Sequence, residues 1–144
     1  RLDDDVPVLL RFENGARGVL LASQFEVGEL NGLRIRLYGD KGGLVWRQEE
    51  PTGLLVQRID GSSELVRAGT TLGEAAARAS RTPGGHPGGY LEAFANLSRA
   101  FARHLRGEAG AQVPGIDEGL RGMAFVSAAV AASRDGRGWT DFQV

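Results

Sequence analysis

The periodicity of apolar residues changes once along this chain, and the change limits the folds open to it. From residue 6 to residue 67, apolar residues alternate with polar residues and are interrupted by turns, which is typical of strands. From Tyr90 to Arg134 they recur at helical spacing. Strands followed by helices indicate an α+β domain. We therefore predict an open, mainly antiparallel sheet with helices packed on one face.

Turns rich in glycine divide the first half of the chain into predicted strands. The sequence has 22 glycines, and many of them lie between apolar segments, where turns need a positive φ. Asn14-Gly15 is a hairpin signal, so the segments on either side of it are predicted to pair antiparallel. The strands are predicted at residues 6–12, 16–26, 33–38, 44–47, 54–60 and 64–67.

Two long helices are predicted in the last third of the chain. The first carries an apolar stripe and ends near Gly107; the stripe consists of Tyr90, Phe94, Leu97, Phe101 and Leu105. The second begins after Pro114-Gly115, with Asp117 and Glu118 in its first turn, where the helix dipole favours acidic side chains. Because this second helix is apolar nearly all round, we expect it to be sandwiched between the sheet and other elements.

Two further segments are less regular. Residues 74–79 predict a short helical turn, which Pro83 and the glycines around it bring to an end. Residues 139–142 predict a closing strand or a tail.

The composition excludes several classes of partner and chemistry. The chain has 144 residues, which predicts a single domain, and its net charge of -1 attracts neither nucleic acid nor an anionic membrane. No apolar segment is long enough to span a bilayer. No cysteine is present, which excludes disulfides, thiol catalysis and cysteine-ligated zinc and is consistent with the cytoplasm. The start at Arg1, followed by acidic residues 3–5, lacks a signal-peptide pattern, and we expect the chain to be part of a longer protein.

No nucleotide-binding motif is present. Gly39-Asp40-Lys41-Gly42-Gly43 lacks the spacing of a phosphate-binding loop and precedes a predicted strand, so we predict a tight turn. The chain also lacks a GxGxxG sequence and the βαβ unit that would hold it. We therefore expect this chain alone to bind no nicotinamide cofactor in the usual way.

The segment from Gly84 to Tyr90 is the most informative candidate for a site. It contains His86, one of only two histidines, in a loop of glycine and proline directly before a helix. A histidine there can contact a small polar ligand, or it can bond the loop backbone in a structural role; the sequence leaves both open. The other histidine, His104, is predicted to face solvent near a helix C-terminus, and no histidine spacing predicts a metal site.

An association surface is predicted on the sheet. Several apolar residues of the predicted strands fall on the face opposite the helices; these are Leu9, Val19, Leu21, Val45 and Leu55. A sheet that is apolar on both faces leaves too much apolar surface for an isolated monomer. We therefore expect a dimer or larger homo-oligomer through the sheet face.

Four segments in order resemble a known family. They are residues 8–16 with Gly18, residues 37–46, residues 85–97, and residues 119–121 with Phe125-Val126 before Ser133. Nearly the whole chain is similar to the C-terminal domain of the Gfo/Idh/MocA oxidoreductases, the family of glucose–fructose oxidoreductase and inositol dehydrogenase. One departure is Ser98, where relatives often carry an aromatic residue, and it concerns packing.

The resemblance implies that residues 1–144 are the C-terminal substrate-binding and oligomerisation domain of a two-domain enzyme. An N-terminal Rossmann domain, absent from this chain, would bind NAD or NADP, and hydride would pass to or from a sugar, inositol or related polyol. The family's catalytic lysine and its aspartate–histidine pair match nothing here, so we assign no catalytic, cofactor-binding or metal-binding residue. The candidate substrate-binding residues are His86 and Tyr90. The alternative is a non-enzymatic dimerisation or ligand-binding module.

Overall fold

The computed structural model describes residues 4–69, 73–136 and 138–142. Within these described ranges, nine elements follow one another in the predicted order of strands before helices. They are β1 (Asp5–Arg11), β2 (Arg17–Ser23), β3 (Arg34–Gly39), β4 (Gly42–Arg47), β5 (Gly53–Arg58), β6 (Ser63–Arg67), α1 (Glu74–Ala79), α2 (Tyr90–Leu105) and α3 (Ile116–Asp135). All strand pairs in the part of the chain that the structure describes are antiparallel, and they form one sheet of two strands and one of four. The α+β prediction is confirmed.

The chain divides into two compact units, the first of which contains residues Arg1–Gly28 and Pro114–Val144. Its sheet is the hairpin of β1 and β2, with the predicted turn at Asn14-Gly15. Gly15 has a φ of 84°, and the Asn14 side-chain oxygen accepts the Ala16 N–H at 3.0 Å. Both observations are typical of a turn that needs a glycine in the left-handed region.

Helix α3 belongs to the same unit and has a recognisable start and end. The Glu118 carboxylate accepts the N–H of Gly115 at 2.8 Å, and Gly136 ends the helix with a φ of 61°. Residues 139–142 form a tail rather than a strand. In that tail, Phe142 packs edge-on against Phe125 with ring centroids 5.8 Å apart, and the Arg11 guanidinium lies 3.8 Å from the Trp139 ring.

The second unit, Glu29–Val113, is built on the four-stranded sheet in the order β3-β4-β5-β6. Its pairing register places Ile35, Trp46, Leu54 and Val66 on one face. Val45, Leu55 and Leu65 lie opposite one another on the other face, while Leu9 and Val19 are opposed on the hairpin of the first unit. Val45 and Leu55 therefore share a face of one sheet, and Leu9 and Val19 share a face of the other, as the alternation of the sequence predicts.

Apolar surface remains uncovered throughout the described residues, among which no hydrophobic side chain is fully buried. Val19 is 72% exposed. The expectation that α3 is sandwiched is wrong for this chain, since Ile116 is 82% and Met123 64% exposed. The apolar stripe of α2 is also at least half exposed along its length. Apolar side chains repeat on these faces as predicted, but the described part of the chain does not supply a surface that covers them.

The start of α3 makes stability depend on pH. The hydrogen bond from Gly115 lowers the pKa of the Glu118 carboxyl below its ordinary range. A lowered pKa in the folded state stabilises the fold above the unfolded-state pKa of about 4.3, and this contribution is lost as pH falls through the lower folded value. We expect Glu118→Gln, which keeps an acceptor oxygen but cannot ionise, to flatten the fall in melting temperature between about pH 7 and about pH 3.

Glu13→Gln in the hairpin turn is the matched control, because it makes the same chemical change away from any helix. Its melting temperature should follow the wild-type pH profile when both are measured by circular dichroism. A Glu118→Gln profile as steep as that of the wild type would contradict the assignment.

Candidate functional site

A cleft of about 330 Å³ lies in the second unit, between the end of the four-stranded sheet and the start of α2. The sheet contributes its wall through Trp46 of β4, the β4–β5 turn, and Ala68 after β6. The indole N–H of Trp46 donates to the Pro51 carbonyl oxygen at 3.1 Å, and the Ala68 N–H donates to Thr52 at 2.8 Å. These bonds fix the orientation of the ring and hold the two ends of the sheet wall together.

The opposite wall is the loop that contains His86. The His86 N–H donates to the Pro83 carbonyl oxygen at 3.2 Å, which closes a turn with Gly85 at a φ of 83°. His86 is exposed and lines the cleft. The sequence candidate His86 therefore lies where a small ligand could reach it, on a loop whose backbone is held by its own hydrogen bonds.

The second candidate, Tyr90, lies elsewhere. It is the first residue of α2, its ring packs against Phe94 with centroids 4.9 Å apart, and it is 74% exposed. It is not among the described residues that line the cleft. The structure thus separates the two candidates: His86 lies at the cleft, and Tyr90 lies on the apolar stripe of α2.

Glycines allow the loop to approach its neighbours closely. Gly89 has a φ of 151°, and a Cβ there would lie 2.9 Å from Pro51 Cγ. A Cβ on Gly69 would overlap the backbone of Gly84, where the segment after β6 crosses the His86 loop. At both points, the absence of a side chain brings the loop against the sheet end that forms the other wall.

Several polar residues of the cleft were missed by the sequence prediction. Glu92 and Asn96 line it from α2, and Arg81 lines it from the loop. The signal was available, because Glu92, Asn96, Arg99 and Arg103 follow one another at helical spacing on the side of α2 opposite the apolar stripe. Only the apolar stripe was used to predict which side of this helix would face the rest of the domain.

The polar groups of the cleft fall into two sets. The first set consists of Arg81, Glu92 and Asn96, which form hydrogen bonds within the protein. Arg81 donates to Asn96, Asn96 donates to the Ala79 carbonyl oxygen, and Glu92 accepts from the Gly89 N–H. Ser80, Thr82 and His86 line the cleft with side chains that form no hydrogen bond to the residues that the structure describes. These three groups can donate to or accept from a ligand that carries several hydroxyls.

No other chemistry is evident at the cleft. The described residues contain no cluster of acidic, histidine or cysteine side chains that could hold a metal ion. The carboxyls whose pKa is lowered by hydrogen bonds, Asp60, Glu108 and Glu118, all lie outside it. None of the described helices is long and apolar enough to cross a membrane. The side chains that line the cleft can form hydrogen bonds with a small polar ligand.

Comparison with known proteins identifies relatives over nearly the whole chain. Residues 1–142 match a family model described as "Oxidoreductase family, C-terminal alpha/beta domain". A curated relative, the uncharacterized oxidoreductase YfiI of Bacillus subtilis, is 30% identical over 99% of this chain and 38% of its own length.

Solved structures give the same result. An oxidoreductase from Sinorhizobium meliloti is 42% identical with a TM-score of 0.91, over 98% of this chain and 42% of its own. An inositol dehydrogenase homolog from Azotobacter vinelandii, complexed with NADH and myo-inositol, is 30% identical with a TM-score of 0.90, over 97% of this chain and 39% of its own. The chain therefore spans about two fifths of the length of these relatives.

The contact between the loop and the sheet end can be tested at Gly89. We expect Gly89→Ala to lower the free energy of unfolding by about 2 kcal/mol, because alanine is strained at this φ and its Cβ meets Pro51. Gly39→Ala is the control, since Gly39 has no positive φ and open space around its Cβ position. The free energy of unfolding of both variants can be measured by urea denaturation. Equal losses would show that the close approach of Gly89 to Pro51 does not contribute to stability.

Proposed function

Because the chain belongs to the Gfo/Idh/MocA oxidoreductase family as its C-terminal alpha/beta domain, we propose that it is the substrate-side domain of an NAD(P)-dependent dehydrogenase. The substrate would be a sugar, an inositol or a related polyol, and hydride would pass between one of its carbons and the nicotinamide. The observation that carries the proposal is the cleft, where Ser80, Thr82 and His86 offer hydrogen-bonding groups that no described residue engages, beside the Trp46 ring.

The chemistry of the cleft suits a polyol. An indole face can pack against the C–H groups of a ring, while hydroxyl and imidazole groups bond its oxygens. His86 differs from the two hydroxyls because its two ring nitrogens lie apart on the ring, so a neutral imidazole can donate at one point and accept at another. The myo-inositol bound by the relative from Azotobacter vinelandii belongs to this class of ligand.

We propose that the nicotinamide nucleotide is bound outside this chain. All strand pairs among the described residues are antiparallel, whereas the dinucleotide fingerprint is carried by a parallel βαβ unit. We assign the cofactor, and with it the catalytic residues, to another part of the intact protein. The cofactor would be NAD or NADP, and we propose a cytoplasmic location, with which a chain without cysteine is consistent.

The main rival is a module that keeps the fold without redox chemistry. A GxGxxG sequence on a strand–helix unit, together with a Glu-Lys-Pro motif elsewhere in the intact protein, would favour the enzyme. Their absence from the complete gene would favour the module. The uncovered apolar faces of the sheets are compatible with either, because both need an association surface.

The role of His86 can be tested in the intact protein. We expect His86→Ala to raise KM for the polyol substrate about three- to tenfold, because one hydrogen bond to the substrate is lost, with little change in melting temperature. His104→Ala is the matched control, since His104 is the other histidine and does not line the cleft. Unchanged steady-state kinetics together with a lower melting temperature would make His86 a structural residue.

We also propose that the protein is a homo-oligomer through the apolar sheet face. Light scattering should give a dimer or a larger species for the wild type, and Val19→Glu should raise its dissociation constant at least about tenfold by placing a charge on that face. The control is Ile59→Glu in the β5–β6 turn, where the side chain is 82% exposed. It should leave the dissociation constant of the oligomer unchanged. A wild-type monomer at high concentration would contradict this interface.

A further inference from the structure

The polar stripe of α2 makes side-chain contacts with the segment that leads into the His86 loop. Asn96 lies at its centre: its Nδ2 donates to the Ala79 carbonyl oxygen at 2.8 Å, and its Oδ1 accepts from Arg81 Nε at 3.0 Å. Arg81 Nη2 also donates to the Ala95 carbonyl oxygen at 3.2 Å. Three hydrogen bonds thus join the end of α1 to a single turn of α2.

The chemistry of this link requires both side chains. The Asn96 amide presents a donor and an acceptor on opposite ends of a planar group, and each is used by a different backbone or side-chain partner. The guanidinium of Arg81 spans a side-chain acceptor and a main-chain acceptor, which a lysine ammonium cannot reproduce in the same fixed geometry. Aspartate at position 96 would lose the donor to Ala79.

The link fixes one end of the His86 loop, and a second contact fixes the other end. The Gly89 N–H donates to Glu92 Oε2 at 2.7 Å at the start of α2. Glu92 and Asn96 are one helical turn apart on the same side of α2. The segment from Thr82 to Gly88, which contains His86, is therefore held at both ends by neighbouring side chains of one helix.

We propose that Arg81 and Asn96 are positioning residues that set where the His86 imidazole lies in the cleft. This inference rests on the proposed function, in which His86 contacts the substrate. Both residues also line the cleft, and Arg81 Nε and Nη2 and both polar atoms of Asn96 bond the protein, so we place their effect on the substrate in the loop that they hold. A misplacement of about 1 Å in a binding group is enough to weaken a substrate contact greatly.

Arg99 provides a matched control. Its Nη2 donates to the Arg78 carbonyl oxygen at 2.7 Å, so it joins the same helix to α1 by the same kind of bond, one turn further along. It does not line the cleft. Arg99→Ala removes the same charge and a comparable hydrogen bond without acting on the His86 loop, and it should leave both the kinetics and the His86 signal unchanged.

The first measurement uses the intact protein without substrate and does not depend on redox activity. The ring C–H signals of His86 and His104 can be followed together by NMR, each assigned by its loss in His86→Ala or His104→Ala. We expect Arg81→Ala and Asn96→Ala to shift and broaden the His86 signal, while the His104 signal stays in place. Arg81→Lys, which keeps the charge, should give a smaller change. A His86 signal that is unmoved in both alanine variants, or moved equally in Arg99→Ala, would overturn the proposal.

The second measurement uses the intact protein with a nicotinamide assay. We expect Arg81→Ala and Asn96→Ala each to raise KM about tenfold with kcat within about twofold of the wild type, and the double variant to raise it hardly further, because both changes break one link. Losses in kcat alone, or effects in the double variant that multiply, would overturn the proposal. An intact protein that oxidises no polyol would refute the proposed function, while the NMR measurement would still decide the positioning role.

Discussion

Antiparallel pairing of β4, β5 and β6 is the constraint on which the cleft depends. The register that sets Trp46 opposite Leu54 also brings the β4–β5 turn beside the ring, where Pro51 accepts its N–H at 3.1 Å. Pairing of β5 with β6 then carries the chain to Ala68, which bonds Thr52 across the end of the sheet. One slip in register would turn Trp46 to the other face and remove this wall. The loop wall is built against this frame, since Gly89 meets Pro51 and Gly84 meets Gly69.

Apolar surface is largely uncovered among the described residues. Hydrophobic burial is the largest favourable contribution to folding, yet no hydrophobic side chain among the described residues is fully buried. Local hydrogen bonds define the strands and helices, but the apolar faces of both sheets, of α2 and of α3 gain stability only when another surface covers them. This chain spans about two fifths of the length of its relatives. The rest of a relative's chain is additional surface that could cover such faces in that relative.

The sequence was sufficient to predict what depends on local periodicity and turn chemistry. Every strand and helix lies within a few residues of its prediction. The predicted turns at Asn14-Gly15 and Gly39–Gly43 each contain a glycine with a positive φ. The sequence was not sufficient to predict which apolar residues are covered or which distant residues bond one another. The predicted sandwiching of α3 assumed that apolar residues are covered within the same chain, and Met123 is instead exposed. Arg81 and Asn96 were missed because their link joins residues 15 positions apart, a separation that no local pattern reveals.

The two sides of α2 make different contacts. The polar stripe, through Glu92 and Asn96, holds both ends of the His86 loop, while the apolar stripe that begins at Tyr90 stays exposed for a covering surface. Because the two stripes lie on opposite sides of a rigid helix, a partner on the apolar side can stabilise the domain without displacing the loop. A shift of the whole helix would instead move both loop anchors together. The loop geometry is thus tied to the position of α2 and not to the identity of the surface that covers it.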